Sequence, residues 1–139
     1  MFDITQFTPT DTTFVHLKSP ITEEKLYLGK GDAKEPVGIT FHSPGSEGYE
    51  AAETARTDRA LVRSKRKIEL TAAILRADAA QFLADITVSS NLAYPDAGDA
   101  TGEDLYKALY ADRRFRWAIE QSNTHLSDLG NSMRKSQPN

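Results

Sequence analysis

Side chains suited to proton transfer or metal binding are sparse. His16, His42 and His125 are the only histidines, and there is no cysteine. Lack of cysteine removes thiolate nucleophiles, disulfides and sulfur ligands for zinc, and suits a reducing compartment. The histidines have no partners at metal-ligand spacing, so structural or solvated roles are favoured for all three. The segment Gly29-Lys30-Gly31-Asp32 has the composition of a phosphate loop but not its order. That motif needs Gly-x-x-x-x-Gly-Lys-Ser/Thr followed by a helix, so a hairpin turn is expected instead. Asp96, Asp99, Glu103 and Asp104 lack the alternating carboxylates and distal Glu of a calcium loop. They read as a solubilising loop whose acids favour the start of the next helix through its dipole. No catalytic residue, cofactor site or metal site is therefore expected, and the chain reads as non-enzymatic.

Charge and aromatic clusters are more informative. Six of the 17 basic residues fall between Arg56 and Lys67, in a chain of net charge −3. No aromatic residues are interleaved for base stacking, and the rest of the chain is acidic, so nucleic acid is not the expected partner. A solvated helix end, or a docking patch for an acidic protein at Arg63, Arg66 and Lys67, is the preferred reading. The second cluster is Arg113-Arg114-Phe115-Arg116-Trp117. On a continuous helix Phe115 and Trp117 lie about 200° apart, so either one ring packs inside while the other is available to a partner, or Trp117 simply covers the sheet. Trp and Arg are enriched at binding hot spots, so Phe115, Arg116 and Trp117 form the main candidate partner surface.

These clusters need a scaffold, and 139 residues with 39% apolar content suit one domain with one core. We expect an N-terminal arm over 1–11, a single α+β domain over 12–133 and a flexible tail over 134–139. Strands are predicted at Thr12 to Leu17, Leu26 to Leu28 and Val37 to His42, the last from strict alternation of Val37, Ile39 and Phe41 with polar or small residues. Together they suggest a small three-stranded antiparallel meander near the N-terminus, followed by three to four packed helices. Ser46 is the expected cap of a first helix that runs into the basic block, with Tyr49, Ala52, Ala60 and Leu61 inward. A central core helix is predicted from Ile68 to Ser90, burying Ile68, Leu75, Ala79, Phe82 and Ile86, with Leu70, Ile74 and Leu83 widening the stripe. Asn91 to Ala100 forms a loop. Thr101 begins a capping box with Asp104, and the helix it opens turns Leu105, Leu109 and Tyr110 inward. Asp112 caps a last helix whose Phe115, Ile119, Ser122, Leu126, Leu129 and Met133 repeat at four and three, a continuous apolar seam. The N-terminus lacks a secretory signature and no run approaches the ~20 apolar residues of a membrane span, so neither export nor membrane insertion is expected.

The order of these features resembles the tail assembly chaperones of long-tailed (siphophage-type) bacteriophages. The similarity rests on Phe7-Thr8-Pro9, the strand Phe14-Val15-His16-Leu17-Lys18-Ser19-Pro20, the stretch from Ile39 to Tyr49, and Leu109 to Gln121. It extends from about Phe7 to Asn131. The chain departs from the pattern at Ser90-Asn91-Leu92, where relatives often place a Trp, and at Asn131-Ser132-Met133. The resemblance implies binding of the tape measure protein, recruitment of tail tube subunits, and residence in the host cell cytoplasm with absence from the mature virion. A longer frameshifted product is common in that family. Self-association is compatible with the apolar seam. A structural tail component, such as a connector or completion protein, is the alternative, followed by a nucleic-acid-binding regulator.

Overall fold

A computed structural model describes residues 11–131 with their side chains and carries the last helix to Lys135. The predicted tail over 134–139 begins too early, since the last helix includes Arg134 and Lys135; the predicted arm up to residue 10, the place of Met133 in the seam and residues 136–139 lie outside the described residues.

The fold is α+β, with a three-stranded antiparallel sheet and four α-helices among the described residues. β1 (Thr12–His16) and β4 (Gly38–His42) pair from Thr12↔His42 to His16↔Gly38. This register puts Val15 beside Ile39 and, with Leu17 and Phe41, makes one buried face, as the alternation in the sequence predicts. The meander does not form. The strand on the other side of β4 is β5 (Thr87–Ser90), paired through Ile39↔Ser90, Thr40↔Ser89 and Phe41↔Thr87. The expected second strand is β2 (Tyr27–Leu28), which pairs with β3 (Glu35–Pro36) in a separate ribbon. Tyr27 and Leu28 are exposed and offer the main sheet no apolar face, whereas β5 follows directly on Ile86, which is fully buried. The ribbon is tied to the sheet where the chain leaves β1: the Leu26 amide donates to the Leu17 carbonyl (3.0 Å), and Lys18 and Lys25 form an antiparallel bridge beside it.

Ser46 begins α1 (Glu47–Lys65), its hydroxyl accepting from the Tyr49 amide at 3.3 Å. The predicted central helix is shorter than expected at both ends. It is α2 (Ala72–Ile86), capped by the Thr71 hydroxyl at the Ile74 amide. Its inward residues are Asp78, Ala80, Leu83, Ala84 and Ile86, with Phe82 partly covered. Ile68, Leu70, Leu75 and Ala79 are exposed instead, as are Ala60 and Leu61 of α1. The face that α2 turns toward α1 is occupied by ion pairs, which leave no place there for the aliphatic stripe.

α3 (Gly102–Ala111) buries Leu109 and Tyr110. The predicted capping box is absent: Thr101 holds extended backbone, but its hydroxyl caps nothing. Gly102 follows in the left-handed region (φ +58°) and redirects the chain at that point. Asp112 does cap, accepting the Arg114 amide at 3.0 Å above a 3-10 turn over Arg113–Phe115. α4 (Arg116–Lys135) then buries Ala118, Ser122 and Leu126, with Ile119 and Leu129 half-buried, so the seam forms as its spacing predicts. α4 is held by polar ties to β1 and to the segment that follows it. His125 Nε2 and the Thr13 hydroxyl share a 2.7 Å bond, and the Gln121 amide bonds both the Lys18 N–H (2.8 Å) and its carbonyl (3.0 Å).

Two glycines give opposite expectations. A Cβ on Gly38 would collide with the Val15 carbonyl and the Phe14 ring, whereas one on Gly130 meets nothing within 4 Å. Gly38→Ala should destabilise by about 2 kcal/mol or more, and Gly130→Ala should stabilise by about 0.5–1 kcal/mol. Urea denaturation of both variants checks the pair.

Candidate functional site

The basic block divides into a structural half and an exposed half. Arg56, Arg59 and Arg63 recur at three and four, so they share the face of α1 that meets α2. All three converge on Asp78. Arg59 Nε lies 2.7 Å from its carboxylate, Arg56 Nε 3.3 Å and a terminal Arg63 nitrogen 3.5 Å. Arg59 also reaches Asp85 at 3.5 Å, and Asp85 accepts from Gln81 at 2.8 Å. Burial pushes the Asp78 carboxyl upward most strongly, but the Arg59 hydrogen bond and the charges of Arg59, Arg63 and Arg56 together hold it below the usual carboxylate range. Arg63, expected on a partner surface, is therefore an internal strut.

Arg66 and Lys67 remain exposed, at the turn joining α1 to α2, where Lys67 takes a positive φ of 54°. Around them stand Leu61 (54% exposed), Val62 (46%), Ile68 (43%), Leu70 (60%) and Leu75 (54%). Five of the ten exposed large hydrophobic side chains among the described residues thus fall within Leu61–Leu75, on either side of this turn. This cationic, aliphatic tip was not anticipated, although Leu61-Val62 and Ile68-Glu69-Leu70 flank the basic run directly in the sequence.

The aromatic candidates turn inward. Phe115 and Trp117 are both half-buried against the core. Phe115 lies in the 3-10 turn ahead of α4, so the 100° step between residues does not apply and both rings can face the same side. Phe115 meets Tyr94 edge-on at 5.7 Å, and the Arg114 guanidinium lies 5.4 Å from its centroid. Tyr94 donates to Asp112 at 2.7 Å, and Arg114 pairs with both Asp112 and Asp96. The Arg114 side chain and amide and the Tyr94 hydroxyl keep the Asp112 carboxyl well below the ordinary range. Of the three, only Arg116 is exposed. It stands on the rim of a groove of about 1270 Å³ that runs between the α1–α2 pair and the start and body of α4. The six candidate residues thus fall into four places: the margin of the core for Phe115 and Trp117, the Asp78 node for Arg63, the tip for Arg66 and Lys67, and the groove rim for Arg116.

Two histidines make structural hydrogen bonds: His125 with Thr13, and His16, whose Nε2 donates to the Leu26 carbonyl at 2.8 Å. Among the described residues no group of three or more potential metal ligands converges, and no helix is long and apolar enough to cross a membrane.

Because folding lowers the Asp78 pKa, its stabilising effect is complete above the unfolded carboxylate value near ~3.9 and is lost as pH falls through the folded value. Asp78→Asn, which leaves three guanidiniums around a neutral amide, should cost about 3 kcal/mol at pH 7. The gap from the unmodified protein should shrink below about pH 4, as urea titrations at pH 7 and pH 3 would show. No known protein family, characterised protein or solved structure matches the chain.

Proposed function

We propose that this chain is a tail assembly chaperone of a long-tailed phage, acting in the host cytoplasm and left out of the finished virion. In this role it binds the tape measure protein, keeps that protein's apolar helices soluble and recruits tail tube subunits to it. The resemblance described above supports the family. The observation that carries the binding role is the tip of α1 and α2, where five large aliphatic side chains stand uncovered beside Arg66 and Lys67.

Each half-exposed aliphatic leaves about 1 kcal/mol of transfer free energy unrealised, which a partner's apolar helix face would recover. The neighbouring cations keep the tip hydrated when it is empty and would select partners with acidic flanks. This reading centres the contact on the tip and not on Trp117, whose ring is half-buried against the core.

Co-expression with the tape measure protein encoded in the same tail region is the test. Leu70→Asp combined with Leu75→Asp should reduce co-purification at least tenfold with the melting temperature little changed, because both side chains are already more than half exposed. Trp117→Ala should instead lower stability by about 3 kcal/mol. Equal capture by the tip variant, or abundant protein in purified virions by mass spectrometry, would remove the reading.

A further inference from the structure

None of the five aliphatic residues of the tip lines the groove, although the two share α2, where Ala79 and Phe82 of the groove lie about 40° and 20° from Leu75 around the helix. α4 is tied to β1 through His125 and Gln121, and the space between it and the α1–α2 pair stays open. We propose that this groove is a second docking site, built for one acidic amphipathic helix of another polypeptide.

Three properties define the occupant. The first is size: about 1270 Å³ equals a cylinder of helical width about 16 Å long, or roughly three turns. The second is an apolar floor from Leu83, Ile119 and Leu126, with exposed Ala73 and Ala77 on the α2 wall leaving room for a backbone to come close. The third is charge. Arg56, Arg76, Arg113 and Arg116 line the groove, against Glu53 and an Asp112 already engaged by Arg114 and Tyr94. Among the described residues, Arg76, Arg113 and Arg116 have no carboxylate within ion-pair distance, although the chain as a whole carries net −3. A positive rim over an apolar floor fits a helix with one apolar stripe and carboxylates on both flanks. A phosphate backbone would meet the rim but leave the floor uncovered. The site does not depend on the chaperone reading.

The test uses the full chain and a fluorescein-labelled helical peptide of about 18 residues, long enough to hold a helix, with a Leu/Ala stripe flanked by Glu. Fluorescence anisotropy should report binding that weakens about tenfold between roughly 0.05 and 0.5 M salt. The same peptide with Lys flanks should bind at least tenfold more weakly. Ala77→Trp, and separately Arg76→Glu with Arg116→Glu, should each weaken the acidic peptide at least tenfold. Ile68→Asp with Leu70→Asp, both ahead of α2 and outside the groove lining, should leave it unchanged, which separates this site from the tip. Should Ala77→Trp fail to fold, the charge-reversal variant decides alone. The proposal is overturned if the two peptides bind equally or not at all, if the groove variants bind as the parent does, if single-stranded DNA displaces the peptide, or if the free chain dimerises with the groove covered.

Discussion

Three guanidiniums on α1 share the carboxylate of Asp78, and the arrangement of the helical layer depends on that shared charge. Burying an ion costs several kcal/mol unless partners surround it, and here the partners all come from one neighbouring helix. α1 and α2 are therefore joined by a polar, directional seam rather than by interlocking aliphatics. The register is correspondingly specific, since a slip of one residue would separate Arg59 from Asp78. Toward its N-terminus α1 adds an aromatic contact, with Tyr49 edge-on to Phe82 at 5.5 Å and Arg56 over the same ring at 4.9 Å. Leu61 and Val62, between Arg59 and Arg63, and Ile68, Leu70 and Leu75 beyond them are left exposed to solvent.

The sheet side follows a similar logic. α4 meets β1 through hydrogen bonds from His125 and Gln121 as well as through Ala118 and Leu126. The Thr13 hydroxyl projects from the same face of β1 as buried Val15, so these polar contacts help seat α4 over the apolar face of the sheet. They also fix the distance of α4 from α2. The groove is thus a product of how the last helix is attached rather than a defect in packing.

Much of this was legible in the sequence where a single period governs a segment. Val37 to His42 alternates because one side of β4 is core, Ser46 caps because its hydroxyl meets free amides, and Ile119, Ser122, Leu126 and Leu129 follow one line on α4. Legibility failed where two elements compete for the same residues. Thr87-Val88-Ser89-Ser90 follows α2 without a Gly or Pro to mark the change, so period alone could not divide helix from strand. Apolar residues at Leu70 and Leu75 looked like core because nothing local announces that a buried Asp78 will claim the facing helix. Of the candidate site, Arg66, Lys67 and Arg116 were placed on the surface, whereas Phe115 and Trp117 were displaced inward by a 3-10 turn that a helical wheel does not represent.

The direct passage from α2 into β5 has a mechanical consequence. Thr87 is at once the cap of the helix and the first residue of the strand, and its hydroxyl grips both the Leu83 carbonyl and the Tyr110 hydroxyl at 2.7 Å. With no slack between them, helix and strand act as one stiff rod inserted beside β4. A load applied at the far end of α2 is delivered to the middle of the sheet, so whatever grasps the protein there holds it by its frame.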